Sequence, residues 1–167
     1  MTGSVADLFR EYHDSLVRML YRRTGDRDRA EEIAQETFAR AVVAPPRNPR
    51  PWLFAVALNL VREEARKASR QERRLVLYKA EQSGESEAPD DTMDRAERIV
   101  RVRAALSTLS ERDREALLLK AEGFSYDEIA STLGLAPGAV GTTLSRARRR
   151  LVTAYRANED DRHVASR

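Results

Sequence analysis

Apolar residues recur at three- and four-residue intervals along most of the chain, and strand-like alternation never extends beyond a few residues. Val5, Leu8, Phe9, Tyr12, Leu16, Met19 and Leu20 mark one side of a first helix that ends near Gly25. A second helix, capped by Asp26 or Asp28, turns Ala30, Ile33, Ala34, Phe38 and Ala41 inward and leaves Glu31, Glu32, Gln35, Glu36 and Arg40 outside. Pro45, Pro46, Pro49 and Pro51 each fix φ and remove a donor, so residues 44–51 read as a stiff loop with a third helix opening at Pro51. That helix, WLFAVALNLVREEARKASRQERRL, is apolar on most sides at its start and strongly basic at its end. It therefore begins buried and ends in solvent.

From Lys79 to Asp94 the apolar period disappears and Ser, Gly, Pro and acidic residues take over, the pattern of a flexible linker. Beyond it, Ile99, Val102, Leu106 and Leu109 define another helix, and Ser110 caps a further one that runs through Leu119 and stops by Gly123. The stretch SYDEIASTLGLAPGAVGTTLSRARRRL then reads as two helices around a tight turn. Ser125 and Glu128 make a capping box, Ile129, Ala130 and Leu133 share one face, and Gly134 ends the first helix where a left-handed residue is needed. Pro137 suits the first position of the second helix, whose stripe of Val140, Leu144, Ala147 and Leu151 packs inward. The fold class that follows is all-α, with two small helical domains, 1–78 and 95–157, joined by a flexible acidic linker at 79–94 and followed by a frayed tail at 158–167.

Charge sharpens this division. The net charge is only +3, yet both helical lobes carry a basic excess while the connector is acidic. Basic surfaces suit a polyanion. No apolar run approaches the roughly 18 residues needed to span a bilayer, and the N-terminal residues lack the order of a signal peptide, so a cytoplasmic location is expected. The absence of cysteine removes disulfides, thiol catalysis and cysteine-ligated zinc.

The outer face of the last helix carries Gly138, Thr142, Ser145, Arg146 and Arg149, with Arg148 and Arg150 on its flanks. Small polar residues lead and arginines follow. A major groove admits one such helix, its leading residues reach base edges, and the later arginines hold phosphates. A solvated basic face on an ordinary helical hairpin would share this composition, but not the short capped helix and glycine turn before it. Catalysis is not indicated: the paired acids Glu31/Glu32 and Glu63/Glu64 have no His, Cys or glycine-rich phosphate loop nearby, and no metal or cofactor motif is present.

Three stretches resemble the extracytoplasmic-function (ECF) sigma factors, bacterial transcription initiation factors built from the second and fourth sigma domains. The first is AEEIAQETFARA (30–41), similar to the acidic helix that docks on the clamp of RNA polymerase; the resemblance implies polymerase contacts at Glu32, Gln35 and Glu36. The second is PWLFAVALNL (51–60) with Arg62 and Arg66, similar to the helix that melts and reads the minus-ten element, which implies DNA contacts at Trp52, Asn59, Arg62 and Arg66. Melting takes bases out of the stack, and stacking side chains and phosphate-holding arginines can offset that cost. The third is the helix-turn-helix, similar to the domain that docks on the polymerase flap and reads the minus-thirty-five element through the outer face described above.

The pattern departs from the family where Ser or Thr usually precedes the recognition helix and this chain has Ala136, and where Lys or Arg is usual but Gly141 and Thr143 stand. Two expectations stay open: an upstream contact that is weak, or one that is stable only on the polymerase. The resemblance also implies a dedicated anti-sigma factor. The rival reading is a free-standing helix-turn-helix regulator, which leaves the first two marker helices without a role; a helical interaction module is a third.

Overall fold

The computed structural model describes residues 3–75 and 93–165, and every regular element within them is helical. Three helices build the first lobe: α1 (Val5–Thr24), α2 (Arg27–Val43) and α3 (Pro49–Leu75). The second lobe contains α4 (Met93–Ser107), α5 (Glu111–Ala121), α6 (Tyr126–Leu133), a 3₁₀ turn (Pro137–Ala139) and α7 (Val140–Ala165). The linker expected at 79–94 falls outside the described residues except for Met93 and Asp94, which open α4.

In the first lobe α1 and α2 form an antiparallel pair closed by the turn at Gly25, whose φ of 75° is the left-handed conformation a side chain would strain. Ser4 and Asp7 cap α1 reciprocally, and the Asp26 side chain accepts the Arg29 N–H at the start of α2. Leu16, Met19, Leu20, Ala30, Ala34 and Ala41 are fully buried, as the helical spacing requires. The loop before α3 is shorter than expected. Pro49 and Pro51 both lie inside the first turn of α3, where a missing N–H loses no helical bond, and the first regular bond runs from Trp52 N–H to the Asn48 carbonyl at 3.3 Å.

The second lobe wraps α4, α5 and α6 around α7. α7 continues to Ala165, through most of the segment expected to be a frayed tail. It packs along α4, and Arg101 reaches Glu159 at 3.5 Å. Such support gives the last turns a partner.

The two lobes share one hydrophobic core. Phe54 of α3 meets Phe124, the residue before α6, at a centroid distance of 4.7 Å with the rings at 61°, and both are completely buried. The Arg50 guanidinium lies 4.2 Å over the Phe124 ring. α3 thus touches α6, and α1 touches α5.

Candidate nucleic-acid and polymerase interfaces

The helix-turn-helix is held by the devices its sequence announces. Ser125 Oγ accepts the Glu128 N–H at 3.1 Å, and the Glu128 carboxylate accepts the Ser125 N–H at 2.8 Å. That backbone donor, with Arg50 adding to it, keeps the Glu128 carboxyl below its ordinary range against the opposing effect of burial. Gly134 takes a φ of 64° and ends α6. Val140, Leu144 and Ala147 of α7 are fully buried against it.

Gly138, Thr142, Ser145, Arg146 and Arg149 are all exposed, as a groove-reading face must be. The face is not uniform. Arg146 donates to Asp113 of α5 at 2.7 and 3.3 Å, and Arg150 reaches the same carboxylate at 3.3 Å. Asp113 is completely buried, and the Arg146 hydrogen bond is the main reason its carboxyl stays below the ordinary value. The Arg146 head is therefore turned toward α5, whereas Arg148 and Arg149 make no ion pair among the described residues. Thr143 is buried and its hydroxyl donates to the Ala139 carbonyl at 2.8 Å. Gly141 is half-buried with the Tyr126 ring beside it. Thr143 faces the core, so a Lys or Arg there would not point to DNA, whereas Gly141 is part-exposed at the edge of the outer face.

On α3, Trp52, Asn59 and Arg66 recur every seven residues along one side, with Arg62 between the last two. Trp52 is half-buried against the core, Asn59 and Arg66 are exposed. Arg62 is engaged on both sides of its guanidinium. Nη1 donates to Asn59 Oδ1 at 2.8 Å, Nε donates to Glu115 Oε1 at 2.9 Å, and Nη2 closes a bidentate pair with the other oxygen of Glu115. Glu115 belongs to α5 and is completely buried. Sequence spacing did not single it out, although Glu115, Leu119 and Glu122 lie on one face of α5 at i, i+4 and i+7, a face with an apolar centre and acids at both ends.

Glu32, Gln35 and Glu36 project from α2 on the side opposite the buried Ile33, Ala34, Thr37 and Phe38. Glu36 holds Arg40 at 3.1 Å and Glu32 pairs with Arg29, both local contacts on an exposed surface. Such pairs contribute little and leave the carboxylates open to a partner.

A model of the family region "Sigma-70 region 2" matches residues 8–71, and one of "Sigma-70, region 4" matches residues 99–151. The ECF RNA polymerase sigma factor SigL of Mycobacterium tuberculosis (strain ATCC 25618 / H37Rv) is 35% identical over 153 residues, 86% of this chain and 84% of the relative. The chain belongs to the ECF sigma factors. EcfG of Rhodopseudomonas palustris (strain TIE-1) is likewise 35% identical, over 77% of this sigma factor and 72% of the relative. Among solved structures, the sigma factor RpoE of Bartonella quintana, crystallised with the anti-sigma factor NepR, resembles it with a TM-score of 0.64 and 27% identity over 90% of this chain and 97% of that one. A free-standing regulator would have no use for region 2, so that reading falls away.

Between α1, α4 and α5 the sigma factor also carries an open groove of about 440 Å³. Ile99, Val102 and Leu118 form its apolar floor, and Arg22, Arg95 and Arg98 stand at its rim. Ile99 and Val102 belong to the apolar stripe of α4 and remain 46% and 39% exposed. No helix among the described residues is long and apolar enough to cross a membrane.

Proposed function

We propose that this sigma factor carries out initiation through three separate faces: α2 on the polymerase clamp, the α3 stripe on the minus-ten element, and the outer side of α7 on the minus-thirty-five element, with the second lobe also docking on the flap. The observation that carries the reading is the pairing of regions 2 and 4 in one chain, each with a polar, outward face. On α2, Glu32, Gln35 and Glu36 supply the polymerase contacts. On α3, Asn59 reads a base edge while Arg62 and Arg66 hold phosphates and Trp52 braces the helix start. On α7, Gly138, Thr142 and Ser145 come first along the helix and Arg149 later, so the leading residues face bases and Arg149 a phosphate. The first unit is taken as 1–78, and the second, read from sequence as 95–157, is extended to 93–165 because α4 opens at Met93 and α7 runs on to Ala165. The role is regulatory: the chain positions polymerase in the cytoplasm and performs no reaction itself.

An anti-sigma factor is the expected regulatory partner. RpoE, similar along most of its length, is crystallised with one, and the arginine-rimmed groove beside α4 offers apolar seats for an amphipathic helix with acidic flanks. Reconstitution with core RNA polymerase tests the reading: a stable complex that starts transcripts from promoters selected out of a random library supports it. Duplex binding with no polymerase complex overturns it.

A further inference from the structure

We propose that the first lobe carries a binding site for a small multivalent phosphate, free pyrophosphate or the polyphosphate of a nucleotide, in the cleft between the α1–α2 turn and α3. The inference goes beyond the initiation reading and does not depend on it.

The cleft has a volume of about 520 Å³ and is lined by α1, α2 and α3 alone. That is the size of a small-molecule pocket. Its wall on α3 is formed by Val61, Glu64, Ala65 and Ala68, which recur at three- and four-residue steps. By the same helical phase Asn59, Arg62 and Arg66 project from the other side of α3, so a strand held along that stripe does not lie in the cleft.

Positive charge without a counter-charge marks the site. Arg23, Arg29 and Lys67 line the cleft with one carboxylate among the described residues, Glu64. Arg29 has already taken it: its Nε donates to Glu64 at 2.7 Å, and another of its nitrogens pairs with Glu32. Arg23 and Lys67 are left with no ion pair among the described residues. Lys67 is exposed, so water solvates it. Arg23 is half-buried, and its Nε is shut off from solvent without an acceptor. The neighbouring Thr24 hydroxyl does not help, being spent on the Leu20 carbonyl at 2.9 Å. Burial first, and then the like charge of Arg114, push the Arg23 guanidinium below its ordinary value. A guanidinium nevertheless stays protonated in proteins, so the compensation that remains is an anion from solution.

Two uncompensated cations, one on α1 and one on α3, call for at least two negative charges. The planar guanidinium and the ammonium point charge both suit phosphate oxygens. The wall of Val61, Ala65 and Ala68 presents no side-chain donor or acceptor to a base, so the phosphates and not a nucleobase set the ligand class.

Calorimetric titration of the full chain with magnesium-free sodium pyrophosphate, ATP and citrate at constant ionic strength tests the site. Pyrophosphate and ATP should bind one to one and more tightly than citrate, which carries comparable charge without phosphate geometry. Equal affinities for pyrophosphate and ATP assign the free anion, a tighter ATP assigns the nucleotide, and either supports the site. Lys67→Gln, at an exposed position, should weaken binding about ten-fold, the scale of one charge-assisted contact. Arg23→Gln should abolish binding. Pyrophosphate should raise the thermal midpoint of the parent and leave that of Arg23→Gln unchanged. Citrate bound as tightly as pyrophosphate, or affinities that neither substitution alters, overturn the site. A short single-stranded oligonucleotide that displaces ATP, and whose own binding is lost in Arg23→Gln, gives the cleft to a nucleic-acid backbone and overturns the small-ligand assignment.

Discussion

Arg146 reaches back from the outer face of α7 to a carboxylate, Asp113, that is completely buried in α5, with the shorter of its two hydrogen bonds at 2.7 Å. This arginine therefore ties α7 to its support although it lies on the exposed side of the helix. Asp113→Ala should lower stability by about 1.5–3 kcal/mol, the usual worth of hydrogen bonds to charged groups. Urea unfolding measures the loss, and amide exchange should locate it in α5 and α7.

The same pair makes stability depend on acidity. The Asp113 carboxyl is held below its ordinary value of 3.8, first by the Arg146 hydrogen bond, so the unfolded chain binds its proton more readily than the native one. The contribution is complete above pH 4 or so and disappears as pH falls through the lower folded value. Glu128, depressed mainly by the Ser125 N–H, acts in the same direction. Urea midpoints over a pH series should fall below about pH 4, and Asp113→Asn should flatten that fall while lowering the plateau.

Arg149 is exposed and makes no ion pair among the described residues, so its charge is available to a phosphate. Arg149→Ala should weaken holoenzyme binding across promoter variants and reduce the salt slope by about one phosphate's worth. Asn59→Ala should instead reduce minus-ten discrimination by about 1–3 kcal/mol with little change in general affinity. Titrations of promoter variants at two salt concentrations separate the two effects.

Glu36 sits on the exposed side of α2 and, among the described residues, pairs with Arg40 one turn away. Glu36→Lys should leave the thermal midpoint nearly unchanged, because i,i+4 pairs are worth about 0.3–0.5 kcal/mol. Core polymerase affinity should drop about ten-fold, equivalent to about 1.4 kcal/mol. Unaltered affinity would remove α2 from the polymerase interface.

Ala136 precedes the 3₁₀ turn with φ −61° and ψ 139° and offers no side-chain cap. A serine there needs no backbone change to accept an N–H of the first turn. Ala136→Ser should stabilise the second lobe by about 0.5–2 kcal/mol, read as a higher urea midpoint.

Much of the architecture is legible as local chemistry. Leu16, Met19 and Leu20, like Val140, Leu144 and Ala147, are buried because their spacing puts them on one side of a helix, and Ser125, Glu128 and Gly134 mark helix ends through bonds no more than four residues long. Errors arose where local signals were ambiguous. Pro49 read as loop, yet it and Pro51 both fit the first turn of α3; polar residues near the C-terminus read as fraying, yet α4 supports them.

The exposure of Glu32, Gln35, Glu36 and Arg149 was equally legible, since helical phase alone sets them outward. Which of the outward charges are already spent was not. Arg62 and Glu115 stand 53 residues apart, and Arg146 and Asp113 stand 33 apart, distances over which neither period nor capping carries information. Those pairs exist because apolar burial packs α5 on α7 and α1 while α6 packs on α3, and a carboxylate carried inside by that packing must take the nearest guanidinium or lose its solvation uncompensated.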